Sequence, residues 1–298
     1  MIYVLVPARD EAATVGLLLW KVRQVFAAFE REYQLLVVDD GSTDGTDEVL
    51  APYARALPLT LVTHRRPEGY ARSVEELLRL AVSRSDRPRR DIAVTLQADF
   101  SESPEDIPDL IRRIESGADL VLADTRACPG RPLGERLARR LAPALVRARS
   151  GLAEARAGIG TLRAYRVGTV ARMLRGAGPL LGHDGWAADL ELLARAAAVS
   201  RRTEVVRLTR PVAERQRPSR SAAGRAAWEA VQAAGAFRAL RTATGAAPGP
   251  APAVRDDEPA AEPSQGRPPR RGRGRRGGRG RGPSSRQGAA PPAPPAGP

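Results

Sequence analysis

The sequence is poor in the features that mark secreted or membrane-spanning proteins. Its single cysteine, Cys128, excludes an internal disulfide and fits a reducing compartment. No run of about 18 or more apolar residues is present, so no segment is predicted to cross a bilayer as a helix. The chain begins directly with a strand pattern, without the basic and apolar parts of a signal peptide. These absences predict a cytoplasmic protein.

Aromatic residues and lysine are also scarce. Aromatics make up 4% of the 298 residues and hydrophobic residues 42%. These fractions predict a sizeable core built mainly from alanine, leucine and valine. Lys21 is the only lysine, so arginine carries almost all of the positive charge behind the formal net charge of +14. Such a charge attracts phosphates, anionic lipid surfaces or nucleic acid.

What the chain does contain is an alternation of strand and helix patterns over residues 1–126. The predicted strands are 2–6, 34–38, 59–63, 91–96 and 118–122, and the predicted helices between them are 11–30, 44–56, 70–84 and 105–116. This alternation predicts an α/β fold in which helices flank a mostly parallel central sheet. Further strands are predicted at 160–166 and 203–209, with a helix at 184–198.

Acidic and turn-forming residues follow three of the predicted strands. The first strand runs into Pro7–Glu11, the second ends in Asp39 and Asp40, and the fourth is followed by Gln97 and Asp99. Ligands of α/β sheets bind outside the carboxyl ends of the strands. Carboxylates there accept hydrogen bonds from a base or a ribose and bind Mg²⁺ or Mn²⁺ with a diphosphate. Turn formation explains each segment alone, but three acidic strand ends in order favour a nucleotide site.

These strand ends belong to a longer ordered set of motifs. Its segments are Val6–Glu11, Val38–Thr46, Gln97–Asp99, Pro104–Glu105, Gly117–Arg126, Leu162–Arg166 and Leu190–Ala196. The set resembles the family-two glycosyltransferases of the GT-A fold, particularly their dolichyl-phosphate mannose synthase-like branch. The resemblance covers roughly residues 1–220. It implies an inverting transferase that uses a nucleotide-sugar donor and a divalent cation, Mg²⁺ or Mn²⁺.

The resemblance also implies a role for each matching residue. The nucleotide-sugar donor would be bound by Pro7, Ala8, Arg9, Glu11, Asp39, Asp40, Arg215 and Ser219. The catalytic residues would be Asp99, Arg126 and Arg140, of which the two arginines bind an acceptor phosphate. The metal would be bound by Asp99 and Gln97.

Gln97 departs from the family pattern, which has an aspartate at this position. An amide oxygen can ligate a hard cation but contributes no charge. Two interpretations remain open at this point. Either the affinity for the metal is lower, or Asp40 and Asp99 share the ion.

The acceptor that the resemblance implies is a polyprenyl phosphate of the dolichyl or undecaprenyl type. A phosphate oxygen is already an anionic nucleophile, so the reaction needs no general base. The alternative, a polysaccharide or a small hydroxylated acceptor, requires a base. The candidates for that base are His183 and Asp184. A second alternative is a catalytically degenerate scaffold whose arginine-rich tail binds RNA.

Two basic segments lie outside the motifs. In 133–149, leucines recur every four residues between arginines. This pattern predicts an amphipathic helix that either packs on the core or lies at a membrane interface. From residue 245 the chain is rich in alanine, proline, glycine and arginine and is predicted to be disordered. An anionic membrane surface, or no partner at all, is favoured over nucleic acid for its Arg-Gly stretch at 270–281.

The predicted organisation has three parts. Residues 1–220 form the GT-A domain, 221–244 a C-terminal helix beside it, and 245–298 the basic tail. Tail and acceptor together extend the predicted location to the inner face of the cell membrane, with peripheral attachment. The oligomeric state is not predicted.

Overall fold

The computed structural model describes residues 1–124, 144, 160–176, 178–208 and 253–255. Within these ranges eight strands form one sheet. The strands are β1 (Ile2–Ala8), β2 (Tyr33–Asp39), β3 (Leu59–Thr63), β4 (Ile92–Thr95), β5 (Leu120–Asp124), β6 (Arg163–Arg166), β7 (Thr203–Arg207) and β8 (Ala253–Arg255). Their order across the sheet is β3-β2-β1-β4-β6-β5-β7-β8.

The sheet is parallel except at one strand. β6 lies between β4 and β5 and runs antiparallel to both. β1 pairs with β2 from Ile2 opposite Tyr33 to Ala8 opposite Asp39, and on its other side with β4. The carboxyl ends of β1, β2 and β4 therefore meet at one edge of the sheet, where the three acidic segments begin.

Helices cover both faces of the sheet. They are α1 (Val15–Ala28), α2 (Thr46–Ala56), α3 (Tyr70–Arg84), α4 (Ile107–Glu115), α5 (Val167–Met173) and α6 (Gly185–Val199), with a 3₁₀ turn over Pro104–Asp106. The apolar sides of α1, α2 and α4 pack on one face, and those of α3, α5 and α6 on the other. Among the described residues, no helix combines the length and the apolar character needed to cross a membrane.

The structure confirms the predicted strands and helices in these ranges to within a few residues at their ends. The antiparallel direction of β6 and the short helix α5 were not predicted. Ala253–Arg255 pairs with β7 as β8, although the composition predicted no strand there. The backbone of an edge strand offers unpaired N–H and C=O groups, and these can recruit a segment that has no strand pattern of its own.

Candidate active site

The loops that follow β1 and β2 are hydrogen-bonded to each other. Asp10 lies in the first loop with a φ of +47°, a conformation that is uncommon for residues other than glycine. Its carboxylate accepts a hydrogen bond from the Thr43 N–H at 2.8 Å. Three further bonds join Asp10 N to Ser42 Oγ (2.8 Å), Glu11 N to Thr46 Oγ1 (2.8 Å) and Ala12 N to Asp44 Oδ2 (3.1 Å). The two strand ends thus form one hydrogen-bonded unit.

Asp39 is the last residue of β2 and is buried beneath this unit. Its Oδ1 accepts hydrogen bonds from the backbone N–H of Ser42 at 3.3 Å and from the Ser42 hydroxyl. Burial raises the pKa of Asp39, and the two Ser42 bonds oppose this rise. Within the described part of the chain its Oδ2 makes no hydrogen bond. This oxygen can therefore accept a hydrogen bond from a ligand.

Asp40 is also buried, but both of its oxygens are occupied. Oδ1 accepts hydrogen bonds from His64 Nδ1 at 2.8 Å and from the Glu68 N–H at 2.7 Å. Oδ2 accepts one from the Gly69 N–H at 3.0 Å. Burial raises the pKa of Asp40, but these hydrogen bonds outweigh it and hold the pKa below its usual value. Asp40 thus fixes the segment between β3 and α3, and its contacts argue against the interpretation that it shares a metal with Asp99.

His64 connects Asp40 to α3. Its Nε2 lies 2.9 Å from Glu76 Oε2, so the ring stands between two carboxylates. Burial lowers the pKa of His64, but the hydrogen bonds to Asp40 and Glu76 and the charge of Glu68 outweigh this effect and raise it. The imidazolium form donates to both carboxylates at once.

The third strand end carries Gln97 and Asp99. Asp99 is half-buried, and its Oδ1 accepts a hydrogen bond from the Ser101 N–H at 2.8 Å. Phe100, between Asp99 and Ser101, has a φ of +56°. Phe100 and Asp10 are the only residues other than glycine with positive φ in the described ranges, and both lie at strand ends of this edge. Such strained conformations concentrate at functional sites.

Gln97 is linked to the interior by a chain of hydrogen bonds. Its Nε2 donates to Tyr70 Oη at 2.9 Å, and Tyr70 Oη donates to Asp189 Oδ1 at 2.8 Å. Arg163 Nη1 donates to the backbone carbonyl of Asp189 at 2.8 Å. Arg163 Nη2 is buried without a hydrogen-bond partner in the described residues. Residues from α3, α6 and β6 therefore converge behind the end of β4.

Asp189 contributes the carboxyl group of this chain of hydrogen bonds, and its pKa is strongly shifted. Burial raises its pKa to about 6, although the charge of Arg163 and the hydrogen bond from Tyr70 act in the opposite direction. Burial also raises the pKa of Tyr70 well above its usual value, and Asp189 adds to the rise. Tyr70 therefore stays protonated, and it is the donor of the pair at any pH at which Asp189 is ionised.

The residues at the end of β4 fit a divalent cation held together with a ligand. No cluster of three or more His, Cys, Asp or Glu side chains suited to a metal occurs in the described residues. Mg²⁺ commonly binds through one or two protein groups while substrate phosphates and water complete its shell. The Asp99 carboxylate and the Gln97 amide oxygen supply such a set.

The other predicted site residues are placed as follows. Pro7 and Ala8 are at the end of β1, and the Ala8 carbonyl accepts a hydrogen bond from the Asp40 N–H at 2.9 Å. Arg9 is exposed, and Glu11 accepts a hydrogen bond from the Thr14 hydroxyl at 2.8 Å. Arg126, Arg140, Arg215 and Ser219 lie outside the described residues, as do segments 221–244 and 270–281.

The two candidate general bases are engaged in contacts of the fold. His183 Nδ1 lies 3.0 Å from the buried Glu191, and Asp184 Oδ1 accepts a hydrogen bond from the Ala71 N–H at 2.8 Å. Sequence reasoning instead missed His64, Tyr70, Arg163 and Asp189. For Asp189 a signal existed, since it and Glu191 are the two acids in the otherwise apolar run 186–193.

Comparison with known proteins agrees with this geometry. The family model "Glycosyl transferase family 2" matches residues 3–174. An undecaprenyl-phosphate 4-deoxy-4-formamido-L-arabinose transferase of Photorhabdus laumondii is 28% identical over 172 residues, 58% of this chain and 51% of that protein. The Pseudomonas aeruginosa protein of the same name is 30% identical over 174 residues, 58% and 49% of the two chains. The chain therefore spans about half the length of the curated relatives it matches.

Solved structures show the same fold at low sequence identity. Glucosyl-3-phosphoglycerate synthase from Mycobacterium tuberculosis, in complex with uridine diphosphate, has a TM-score of 0.54 at 19% identity and covers 80% of each chain. Mannosyl-3-phosphoglycerate synthase from Rubrobacter xylanophilus has a TM-score of 0.56 at 17% identity, over 82% of this chain and 74% of its own. These neighbours confirm the predicted GT-A fold. The chain belongs to glycosyl transferase family 2.

Proposed function

We propose that the protein is an inverting glycosyltransferase that moves a sugar from a nucleoside-diphosphate sugar to a polyprenyl phosphate at a membrane surface. The observation that carries this proposal is the arrangement at one sheet edge. There the joined loops after β1 and β2 adjoin the end of β4, which bears Gln97 and Asp99. The names of the curated relatives support the acceptor class.

Donor binding is assigned to the joined loops, here called the nucleoside half (residues 7–11 and 39–46). The Oδ2 of Asp39 is available to a ribose hydroxyl or a base N–H, because Ser42 occupies only Oδ1. Asp40 shapes the opposite wall by holding Glu68 and Gly69. Arg215 and Ser219 are proposed to close over the donor diphosphate, as the family resemblance implies.

The leaving group is assigned to the metal half (Gln97 and Asp99). These residues would hold Mg²⁺ or Mn²⁺, which supplies a positive charge that stabilises the departing nucleoside diphosphate. Arg126 and Arg140 are proposed to bind the acceptor phosphate. A phosphate oxygen attacks the anomeric carbon from the side opposite the diphosphate and forms a new C–O bond. The bond from that carbon to the diphosphate oxygen breaks, the nucleoside diphosphate leaves with the electron pair, and the configuration inverts.

The environment of the candidate bases favours a phosphate acceptor over a hydroxyl. Attack by a hydroxyl requires a base that reaches it. His183 and Asp184 are held by Glu191 and by the N-terminus of α3, and the Asp189 carboxyl group is buried against Tyr70. A phosphate needs no such group.

The test is a calorimetric titration of the purified protein with a panel of sugar nucleotides, with Mn²⁺ or Mg²⁺ present. We expect metal-dependent binding of at least one donor, its loss in Asp99→Ala, and its retention in Asp109→Ala, which removes a surface carboxylate of α4. Binding of no donor with either metal would sink the proposal in favour of a degenerate scaffold.

The acceptor class is tested separately, by product formation with a short polyprenyl phosphate and with hydroxylated sugars. Transfer only to the latter would replace the acceptor assigned here.

The same proposal extends to the organisation of the chain. A GT-A domain over 1–220, a helix over 221–244 and a basic tail over 245–298 would bring the enzyme to an anionic membrane surface. Flotation with anionic vesicles should weaken when 256–298, the part of the tail that follows β8, is deleted. Unchanged flotation would discard the tether, and retention on RNA instead would favour the nucleic-acid alternative.

A further inference from the structure

We propose that Tyr70, anchored by Asp189, is a positioning residue that fixes the side-chain amide of Gln97 with its oxygen toward the cation. This inference rests on the proposed function, because it concerns the metal half of the same site. It explains how a neutral residue serves where the family pattern has a carboxylate.

The direction of the hydrogen-bond chain follows from the number of protons. A tyrosine hydroxyl has one proton, and Tyr70 donates it to Asp189 at 2.8 Å. Toward Gln97 the hydroxyl oxygen can then only accept, so the group that faces it at 2.9 Å is the amide nitrogen. The amide oxygen, on the other side of Cδ from the nitrogen, is then turned away from Tyr70 and can ligate a cation.

Asp189 fixes this direction because its carboxylate depends on a single hydrogen-bond donor. Within the described residues, Tyr70 is the only donor to the Asp189 carboxylate. The backbone of Asp189 is held in turn by Arg163, and both residues are almost fully buried. A buried carboxylate keeps its donor, because an unsatisfied buried acceptor is costly. Rotation of the Tyr70 hydroxyl toward Gln97 would leave Asp189 without one.

Orientation matters for an amide and not for a carboxylate. A glutamine that turns by 180° about its last torsion presents an NH₂ group to the cation, and this group cannot be a ligand. An aspartate presents an oxygen in either orientation. A device that orients the side chain is therefore needed at position 97 only when the residue there is glutamine.

The first test is a double-mutant cycle with Mn²⁺ titrated by electron paramagnetic resonance into protein saturated with UDP or GDP, whichever the native protein binds. Tyr70→Phe should weaken Mn²⁺ binding about two- to tenfold, the effect of one net hydrogen bond. It should leave Mn²⁺ binding unchanged when Gln97→Asp is also present. Tyr53→Phe, on α2, is the matched control and should have no effect.

The outcomes separate this inference from the proposed function. Absence of metal-dependent nucleotide binding in the native protein overturns both. If the native protein binds Mn²⁺ but Tyr70→Phe resembles Tyr53→Phe, only the role of Tyr70 is overturned. Equal weakening by Tyr70→Phe with and without the Gln97→Asp substitution would also overturn it, because Tyr70 would then act through the fold.

A second measurement needs no metal. The ¹⁵N side-chain amide signal of Gln97, assigned by its absence in Gln97→Leu, should show slowed proton exchange in the native protein. Tyr70→Phe should move this signal and speed its exchange, while Tyr53→Phe should not. An unchanged Gln97 signal in Tyr70→Phe contradicts the proposed orientation.

Discussion

The two halves of the candidate site are built in different ways. In the nucleoside half the two loops bind each other directly, through hydrogen bonds between residues that follow neighbouring parallel strands. In the metal half, Gln97 donates a hydrogen bond to Tyr70 of α3, 27 positions away in the sequence. Tyr70 in turn donates to Asp189 of α6, 119 positions away. The two loops of the first half thus hold each other, with Asp40 as their link to the segment before α3. The second half depends on the packing of α3 and α6 against the sheet.

The difference shows what each half tolerates. Asp40 has three hydrogen-bond donors on its two oxygens, so its carboxylate is a structural element as well as a wall of the site. Asp99 is half-buried at the mouth of the metal half. Substitution should therefore cost mainly stability in the nucleoside half and mainly metal binding in the metal half.

The largest effect is expected from Asp40→Asn. An asparagine turns an NH₂ group toward one of the three donors and loses the charge opposite His64. We expect the free energy of unfolding to fall by about 3–4 kcal/mol. Urea denaturation measures this change, with Asp99→Asn as the matched variant. Asp99→Asn should lose less than about 1 kcal/mol and yet abolish metal-dependent donor binding. Equal stabilities of the two variants would remove the contrast between the halves.

The sequence was sufficient to predict that the two loops of the nucleoside half lie together, because their residues follow strands with strong patterns. The runs before Asp39 and after Met1 are continuous and apolar, and each ends in polar turn-forming residues. Parallel pairing of β1 and β2 then places Ala8 opposite Asp39, so the two loops meet without further information.

The support of the metal half was not predictable in the same way. Arg163 resembles a surface residue in the sequence, yet it is 2% exposed because β6 inserts antiparallel between β4 and β5. Nothing in the sequence around Tyr70 marks it as a site residue. Its hydroxyl acquires a role through the packing of α3 against α6, and no local pattern records that contact.

The second prediction concerns pH and the Asp189 carboxyl group. Its pKa is about 6 in the folded protein and 3.8 in the unfolded reference, so the folded state holds the proton more tightly. The resulting stabilisation is complete below about pH 4 and is lost as the pH rises through about 6. The difference corresponds to about 3 kcal/mol.

Urea denaturation of native protein and Asp189→Asn between pH 4 and pH 8 tests this sign. The stability of the native protein minus that of the variant should fall as the pH rises to about 7 and then level off. Subtracting the two stabilities removes the contribution of every carboxylate that titrates equally in both proteins. A stability difference that does not change with pH would mean that Arg163 keeps Asp189 ionised over the whole range. The residues that support Gln97 would then contain no group that titrates near pH 6.

A smaller effect is expected from Gly41→Ala, which tests how tightly the nucleoside half is packed. Gly41 has a φ of +62°, and a Cβ atom there would lie 2.7 Å from the backbone carbon of Arg66 and the nitrogen of Pro67. Backbone atoms cannot rotate away, so we expect a loss of about 2 kcal/mol. Thermal or urea unfolding measures it. Gly176→Ala is the control, since no atom lies within 4 Å of its Cβ position. Equal losses in both variants would refute the close contact.

The smallest effect is expected from His64→Gln, and it should depend on pH. Asp40, Glu76 and Glu68 surround His64 and raise its pKa above 6.5. A raised pKa stabilises the folded state below pH 6.5, and this contribution disappears as the pH rises through the folded value. The imidazolium donates to both Asp40 and Glu76, whereas glutamine can donate to Asp40 but presents its oxygen to Glu76.

The native protein should therefore exceed His64→Gln by about 1 kcal/mol at pH 6. The two should converge above the folded pKa of His64, because neutral imidazole, like the amide, has one donor and one acceptor for the two carboxylates. Urea denaturation at pH 6 and pH 9 provides the comparison. A difference that persists at pH 9 would show that His64 acts by shape and not by charge. The contacts of Asp40 with His64 would then make no contribution to stability that changes with pH above the range in which Asp189 titrates.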